Sequence, residues 1–325
     1  MPIFLSALIV ALPTYLYARL VRGIDRFEQE PAKYLFIAFV WGALPAAFLA
    51  LIFQTMLTLP ITFIWDEAMS AAVNSIVFAP LTEELLKGLM VALIYLQRRR
   101  EFDGWVDGIV YGSTVGFGFA YAENIVYLAS ADSPEEWVRL FILRVIVFGF
   151  MHGFYTSLIG IGFGVARHAA SPARAFWSIA LGWAAAVVTH AIHNASVTLA
   201  DASEGQSLGV TLLNYGLLIA LMLGLRWVSK RHDREMFRAY LADEPPDVVP
   251  PRAYDALIGV RSSAGSRGAQ QLDKSFYHLA GELAQRKRQL VQYGEPVTEE
   301  IDRLRDQLRA LNASRGRLAA ASPSG

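Results

Sequence analysis

Ionisable and hydrogen-bonding side chains recur inside four otherwise apolar segments of this sequence. The segments read APLTEELLKG, FGFAYAEN, FMHGFYTS and VTHAIHNAS. Their polar members are Glu83, Glu84, Lys87, Glu123, Asn124, His152, His190, His193 and Asn194. Residues four apart share one face of a helix, as Glu83 and Lys87 do, and as His190 and Asn194 do. Each segment can therefore aim its polar groups at one common point.

Carboxylates and imidazoles in this combination support hydrolysis by two routes. Neutral His and a carboxylate bind zinc, which lowers the pKa of bound water to about 7, and a second Glu then acts as general base. Alternatively, Glu83 or Glu84 activates water directly while His190 and Asn194 stabilise the oxyanion without a metal. Both routes describe peptide hydrolysis, and the residues leave the choice open. The chain has no cysteine, which excludes thiolate nucleophiles and Cys-ligated metals.

The composition around these segments is that of a membrane protein. The 325 residues are 54% hydrophobic and 18% charged, with a mean hydropathy of +0.35, against about 25% charged in soluble domains. A transmembrane helix needs about 20 mostly apolar residues. The pattern predicts an all-α, polytopic bundle of about seven transmembrane helices. The predicted spans are about 3–21, 35–57, 69–96, 105–129, 138–166, 175–199 and 208–228.

Loop charges predict the orientation of these spans. Basic residues follow spans 1, 3, 5 and 7, for example Arg98 to Arg100 and Lys230, whereas the alternate connections are acidic or neutral. Because basic loops stay in the cytoplasm, we expect the N-terminus outside and the C-terminus inside, in a multi-pass plasma-membrane protein. At about 1.5 Å per residue, Glu83, Glu123, His152 and His190 then lie roughly 20, 27, 21 and 23 Å from the inner surface. All four depths fall in the outer half of a hydrocarbon core about 30 Å thick.

The chain divides into three predicted parts: a membrane domain over 1–230, a cytoplasmic linker over 231–269 and a helical tail over 270–325. Pro, Gly, Ser and Arg are frequent in 243–269, which is typical of a linker. In the tail, Phe276, Leu279 and Leu283 form one apolar stripe, and a second begins at Val297. Paired stripes indicate a helical hairpin or a short coiled coil, and hence allow self-association through the tail.

The same residues also have purely structural interpretations. A lone membrane His such as His193 often only hydrogen-bonds a neighbouring helix. Glu83 and Lys87 could be an internal salt bridge, and Asn124 is better placed to support Glu123 than to act in chemistry. Gly112, Gly116 and Gly118 are interpreted as helix-packing residues. Interhelical bonding does not, however, require acids and imidazoles at one depth, so the set as a whole indicates a functional site.

The ordered motifs resemble those of the PrsW family of intramembrane proteases, within the CAAX prenyl protease superfamily. They are Glu83-Glu84-x-x-Lys87, Phe119-x-x-x-Glu123-Asn124, His152, and His190-x-x-x-Asn194, and the loop at 26–31 and the stretch at 107–112 are also similar. The similarity covers about residues 15–200, and four ordered motifs are far more specific than one.

The resemblance implies an intramembrane endopeptidase, commonly described as a metalloprotease, that acts on membrane-anchored proteins. It also implies a first, outer-side cut of an anti-sigma factor. The expected catalytic residues are Glu83, Glu84, Glu123, His152, His190 and Asn194, supported by Lys87, Asn124 and His193. If the metal is zinc, we expect His152 and His190 as ligands with Glu123 as the carboxylate. The competing hypothesis is a non-catalytic scaffold or an ion-coupled transporter. The expected partners are the lipid bilayer and a membrane-anchored substrate, and no nucleic acid.

Overall fold

The computed structural model describes residues 3–24, 30–98, 101–102, 104–202, 208–259, 267–294 and 296–321. Every regular element in these ranges is helical. The part of the loop motif at 26–29 lies outside the described residues. The helices group into two compact units, one covering residues 1–25 and 30–221, the other covering 26–29 and 222–325. The boundary thus falls within a helix, a few residues before the predicted end of the membrane domain at 230.

The first unit contains helices α1 to α9 and the start of α10. Their bounds are α1 Ile3–Arg22, α2 Ala32–Trp41, α3 Ala47–Ile61, α4 Glu67–Val73, α5 Ala79–Gln97, α6 Trp105–Ala129, α7 Pro134–Leu140, α8 Met151–Arg167, α9 Pro172–Ala202 and α10 Leu208–Tyr240. π-helical turns join α2 to α3 at Gly42–Ala46, α4 to α5 at Asn74–Phe78, and extend α7 at Phe141–Val147. Large apolar side chains such as Phe48 and Trp177 stay exposed, as a lipid-facing surface requires.

Four described helical stretches are long and apolar enough to cross a membrane: Ile3–Arg22, Ala32–Ile61, Pro134–Arg167 and Pro172–Thr198. They coincide with four of the predicted spans. The other three predicted spans correspond to α5 with its preceding turn, to α6 and to part of α10. Helix α5 carries three ionisable residues, which lowers its hydropathy. The count of seven spans stays a prediction.

Helix α6 lies at the centre of the first unit, packed against α1, α2, α5 and α8. Close approach of α6 to α8 depends on glycine, as predicted for the glycines of α6. Gly108 faces Gly160 backbone to backbone, and a Cβ on Gly116 would lie 2.2 Å from the carbonyl oxygen of His152. Since glycine alone allows this spacing, the register between α6 and α8 is tightly fixed.

The second unit is a small helical domain with its own core. It contains the end of α10, α11 Pro251–Leu257, α12 Arg267–Arg288, a π-helical turn Gln289–Tyr293 and α13 Thr298–Ala321. Gly294 adopts φ +67°, the left-handed conformation that ends the turn. The predicted stripes of α12 and α13 pack against each other within the chain, as a hairpin, through Phe276, Leu283 and Ile301 among others.

The predicted linker differs from the structure over its described residues, 231–259. Phe237, Val248, Val249 and Leu257 are buried in the core of the tail unit. The prolines that suggested a linker precede and begin α11, since Pro250 is the N-cap residue and Pro251 the first helical residue. Residues 260–266 lie outside the described residues.

Candidate active site

Helix α5 presents three ionisable side chains toward the interior of the first unit. Glu83, Glu84 and Lys87 are all buried. The Lys87 ammonium Nζ lies 2.5 Å from Glu84 Oε1 and 3.6 Å from Glu83 Oε2. Both pairs follow from the three- and four-residue spacing on one helix face. The predicted salt bridge therefore exists, and Glu84 is its nearer partner.

His190 of α9 approaches the same carboxylate. Its Nδ1 lies 3.0 Å from Glu84 Oε1. The arrangement fixes the tautomer, because an ionised carboxylate only accepts hydrogen bonds. Nδ1 therefore carries the proton, and Nε2 keeps its lone pair. That Nε2 lies 3.9 Å from Glu83 Oε2, while the ring stacks on Tyr155 at a centroid distance of 4.7 Å.

In His152 of α8, the two ring nitrogens have the opposite roles from those in His190. Its Nδ1 lies 3.1 Å from Lys87 Nζ, and its Nε2 lies 2.8 Å from Glu123 Oε2. An ammonium has donors only, so Nδ1 accepts from Lys87 and the proton lies on Nε2, which faces Glu123. The acceptor Nδ1 lies 3.8 Å from Glu83 Oε2. The ring centroids of His152 and His190 are 5.1 Å apart, well within the reach of one shared site.

Glu83 provides a carboxylate oxygen without a hydrogen bond beside both imidazoles. Its Oε1 accepts a hydrogen bond from Gln54 Nε2 at 3.2 Å. Its Oε2 is buried and, among the described residues, accepts no hydrogen bond. One ligand atom each from Glu83, His152 and His190 lie within 4.8 Å of one another. One atom from each imidazole and one carboxylate oxygen thus lie around one centre, and the His152 Nδ1 that faces Glu83 also accepts from Lys87.

This donor set fits a metal ion of the zinc type. Zinc is commonly bound by two His and one carboxylate at about 2.0–2.2 Å, with a fourth position open. Tetrahedral ligands at that distance are about 3.4 Å apart, so separations of 3.8 and 3.9 Å need a contraction of a few tenths of an ångström. The unpartnered Glu83 oxygen is the observation that favours an ion here.

The structure places the remaining predicted residues around this centre in different ways. Glu123 pairs with Arg144 at 2.9 Å as well as with His152, so Glu83, and not the expected Glu123, is the carboxylate that could hold a metal ion together with the two His. Asn194 donates to the carbonyl oxygen of Ser75 at 2.8 Å, which joins α9 to the turn before α5. Asn124 is buried next to Glu123.

His193 packs against the aromatic rings of Phe148 and Tyr155, next to the cluster of Glu83, His152 and His190. Its ring lies 5.0 Å from that of Phe148. The packing matches the structural interpretation that the sequence allowed for this residue.

Three contacts were missed by the sequence reasoning. They come from Gln54, from Thr156, whose Oγ1 donates to Glu84 Oε2 at 3.1 Å, and from Arg144. Thr156 lies one helical turn after His152, and that spacing was a usable signal. Arg144 stands in the apolar run FILRVIV, and a charge within a span is a functional signal in its own right.

The side chains of the cluster are buried to different degrees. The Glu84 and Lys87 side chains are 0% exposed, whereas those of His152, Glu123 and Arg144 are 13%, 23% and 29% exposed. The exposed edge of the cluster therefore lies on the side of Glu123, His152 and Arg144. Glu84 and Lys87 form its sealed floor.

Comparison with known proteins gives concordant results. The model of a family described as PrsW family intramembrane metalloprotease matches residues 30–224. Protease PrsW of Geobacillus kaustophilus is 28% identical over 243 residues, covering 74% of this chain and 92% of that protein. Protease PrsW of Bacillus subtilis is 29% identical, covering 52% of this chain and 69% of that protein. No solved structure matches.

The matched range contains all four polar segments and the whole Glu/His cluster. The family match also explains why ionisable groups are gathered between apolar helices, since an intramembrane protease acts on membrane proteins within the bilayer. The chain belongs to the PrsW family of intramembrane metalloproteases.

Proposed function

We propose that this intramembrane protease is a zinc endopeptidase that cleaves membrane-anchored proteins within the outer half of the bilayer. The observation that carries the proposal is the convergence of Glu83, His152 and His190 on one buried centre. The substrate class is a protein anchored by a single span, of the anti-sigma-factor type that the family resemblance implies. The outer-half position rests on the loop charges, which place α5, α6, α8 and α9 in a plasma membrane with the C-terminus in the cytoplasm.

Glu83, His152 and His190 would hold the ion, which supplies Lewis-acid polarisation of the scissile carbonyl when bound. The other residues of the cluster orient these ligands. Glu84 accepts from His190 Nδ1, and Glu123 Oε2 lies 2.8 Å from His152 Nε2. Such outer carboxylates fix the tautomer and the ring orientation of ligating histidines. The substrate enters along the α6–α8 edge, and the sealed floor keeps bulk water from the opposite side.

A metal-free mechanism is the second candidate, because of one observation. Lys87 Nζ lies 3.1 Å from His152 Nδ1 and 3.6 Å from Glu83 Oε2, so a cation already stands beside the donor set. In this mechanism Glu83 Oε2, to which no described group donates a hydrogen bond, accepts the proton of the attacking water. Lys87 and the imidazoles then stabilise the oxyanion.

Cleavage of a membrane-anchored reporter in proteoliposomes tests both candidates. Wild-type protein should cleave it, Glu83→Gln should not, and the matched control Glu135→Gln, an exposed carboxylate of α7, should cleave normally. Removal of metal with a strong chelator should abolish activity, and added zinc should restore it. Full activity of protein shown to be metal-free would end the zinc proposal and support the Glu83 mechanism. Cleavage by Glu83→Gln would contradict both.

The proposed orientation has its own test. Reporter fusions near residues 98 and 240 should both report the cytoplasm. An outside location for either would reverse the topology and move the site to the inner half of the bilayer.

A further inference from the structure

Arg144 is a partly buried cation beside the Glu/His cluster, and none of the sequence motifs includes it. It lies in the π-helical turn Phe141–Val147, within the stretch Pro134–Arg167 that is apolar enough to cross a membrane. A charge at such a position is expensive and needs a partner. π-helical turns also occur frequently at functional sites, because the extra residue changes where a side chain points.

The partners of Arg144 lie on α6, one turn apart. Nη2 lies 2.9 Å from Glu123 Oε2, and the guanidinium carbon lies 3.5 Å from the centre of the Tyr127 ring. The first contact is an ion pair, and the second is a cation–π contact. Together they hold the planar guanidinium against α6 in one orientation.

The oxygen that binds Arg144 is also the oxygen that binds His152. Glu123 Oε2 lies 2.8 Å from His152 Nε2. On the other side of the ring, Nδ1 accepts from Lys87 and faces Glu83 at 3.8 Å. The three side chains therefore form a chain of contacts, Arg144 to Glu123 to His152, that ends at the reactive centre. Arg144 itself does not reach that centre.

We infer that Arg144 is a positioning residue of the protease: through Glu123 it keeps the proton of His152 on Nε2 and turns the Nδ1 lone pair toward Glu83. Without the guanidinium, Glu123 loses the contact that fixes its carboxylate plane. The His152 ring then keeps only its contact with Lys87 at Nδ1, and this one contact holds its orientation and tautomer less tightly than two contacts do. This inference rests on the proposed role of His152 in the site.

The test uses the full-length protein in proteoliposomes with a membrane-anchored reporter substrate. Loss of an outer-shell partner typically costs 10–100-fold, so Arg144→Gln should lower kcat by about 10–100-fold with KM changed by less than about twofold. Arg144→Lys keeps the charge and should recover part of the loss. Arg139→Gln is the matched control, because it removes an exposed cation of α7 shortly before Arg144 in the chain. It should leave both kcat and KM unchanged.

Two further measurements separate positioning from a purely structural ion pair. Glu123→Gln combined with Arg144→Gln should be no worse than the more damaged single variant, because the two residues act as one unit. In metal-free protein labelled with 15N-histidine, the His152 signal, assigned by its loss in His152→Gln, should show the Nε2–H tautomer in the wild type and a mixture in Arg144→Gln. This spectrum is informative even if the wild type fails to cleave the reporter and the proposed function falls.

The inference is overturned by any of three results: an unchanged kcat in Arg144→Gln, a raised KM with unchanged kcat, which would make Arg144 a substrate-binding residue, or an unchanged His152 tautomer. If Arg144→Gln cannot be purified as a folded protein, Arg144→Lys carries the test. It should then show a kcat lowered about threefold to tenfold by the shorter, non-planar cation, and an equal kcat would refute the inference.

Discussion

Substitution of Gly116 by alanine should separate the two helices that carry Glu123 and His152. A Cβ at this position would lie 2.2 Å from the carbonyl oxygen of His152, whereas ordinary contact begins at 3.4 Å. The backbone of α8 must therefore move by about 1.2 Å, the difference between these distances. The neighbouring atoms are backbone atoms of His152 and Gly153, which cannot turn aside as a flexible side chain would.

The expected effect on activity follows from that displacement. Misplacement of a reacting group by about 1 Å can cost about 100-fold in rate, so kcat/KM for a membrane-anchored reporter should fall by about two orders of magnitude. Overpacking of this kind costs about 1–3 kcal/mol of stability, which a folded membrane protein can tolerate. Thermal unfolding in detergent should therefore still show a cooperative transition, at a lower temperature.

Gly216→Ala on α10 is the matched control, since no described atom lies within 4 Å of a Cβ built there. It should leave cleavage unchanged. The reasoning fails if folded Gly116→Ala cleaves within threefold of Gly216→Ala, because α6 and α8 would then tolerate a change of spacing without loss of site geometry.

Two further predictions concern residues near and far from the centre. Asn194→Ala should lose about 1 kcal/mol of stability with its bond to Ser75 but keep far more cleavage activity than Glu83→Gln; equal loss in both would restore a catalytic role for Asn194. In the tail, burial alone would raise the pKa of Glu244, but hydrogen bonds from Arg305 and Lys287 outweigh it and lower that pKa. Its contribution to stability is thus complete above the unfolded carboxyl pKa of about 4.3 and is lost as the pH falls through the lower folded value. Exchange protection of the α12 and α13 amides in the full chain, taken relative to the intrinsic rate at each pH, should fall below about pH 4 in the wild type and depend less on pH in Glu244→Gln, whereas identical profiles would contradict this assignment.

The sequence predicted that the site residues converge, because the position of each polar residue along its helix can be counted from the ends of the predicted span. His152 and His190, 38 positions apart in the printed sequence, lie with ring centroids 5.1 Å apart. The choice between Glu83 and Glu123 as the third member was not readable. It depends on Gln54 and Arg144, two side chains from other elements whose direction only the packed structure defines.

The tail shows a different limit. Proline and glycine frequency suggested a linker, but the same prolines also favour the start of a helix, and composition alone does not separate the two cases. Val248 and Val249 stand within a short Pro-rich run and display no helical period. Their burial arises from contacts with α12 and α13, far along the chain. Long-range packing thus decided what local pattern left undetermined.

The charged floor of the site also constrains how the protein is assembled. Helix α5 carries Glu83, Glu84 and Lys87, and each central charge costs about 2.5–3.5 kcal/mol when a helix enters lipid alone. Pairing between Glu84 and Lys87 within α5 offsets part of this cost, but Glu84 completes its bonds only with Thr156 and His190. His190 is synthesised 106 residues after Glu84. We therefore expect the polar contacts of α5 to be completed only after α8 and α9 have been synthesised, so that formation of the active site coincides with the packing of α9.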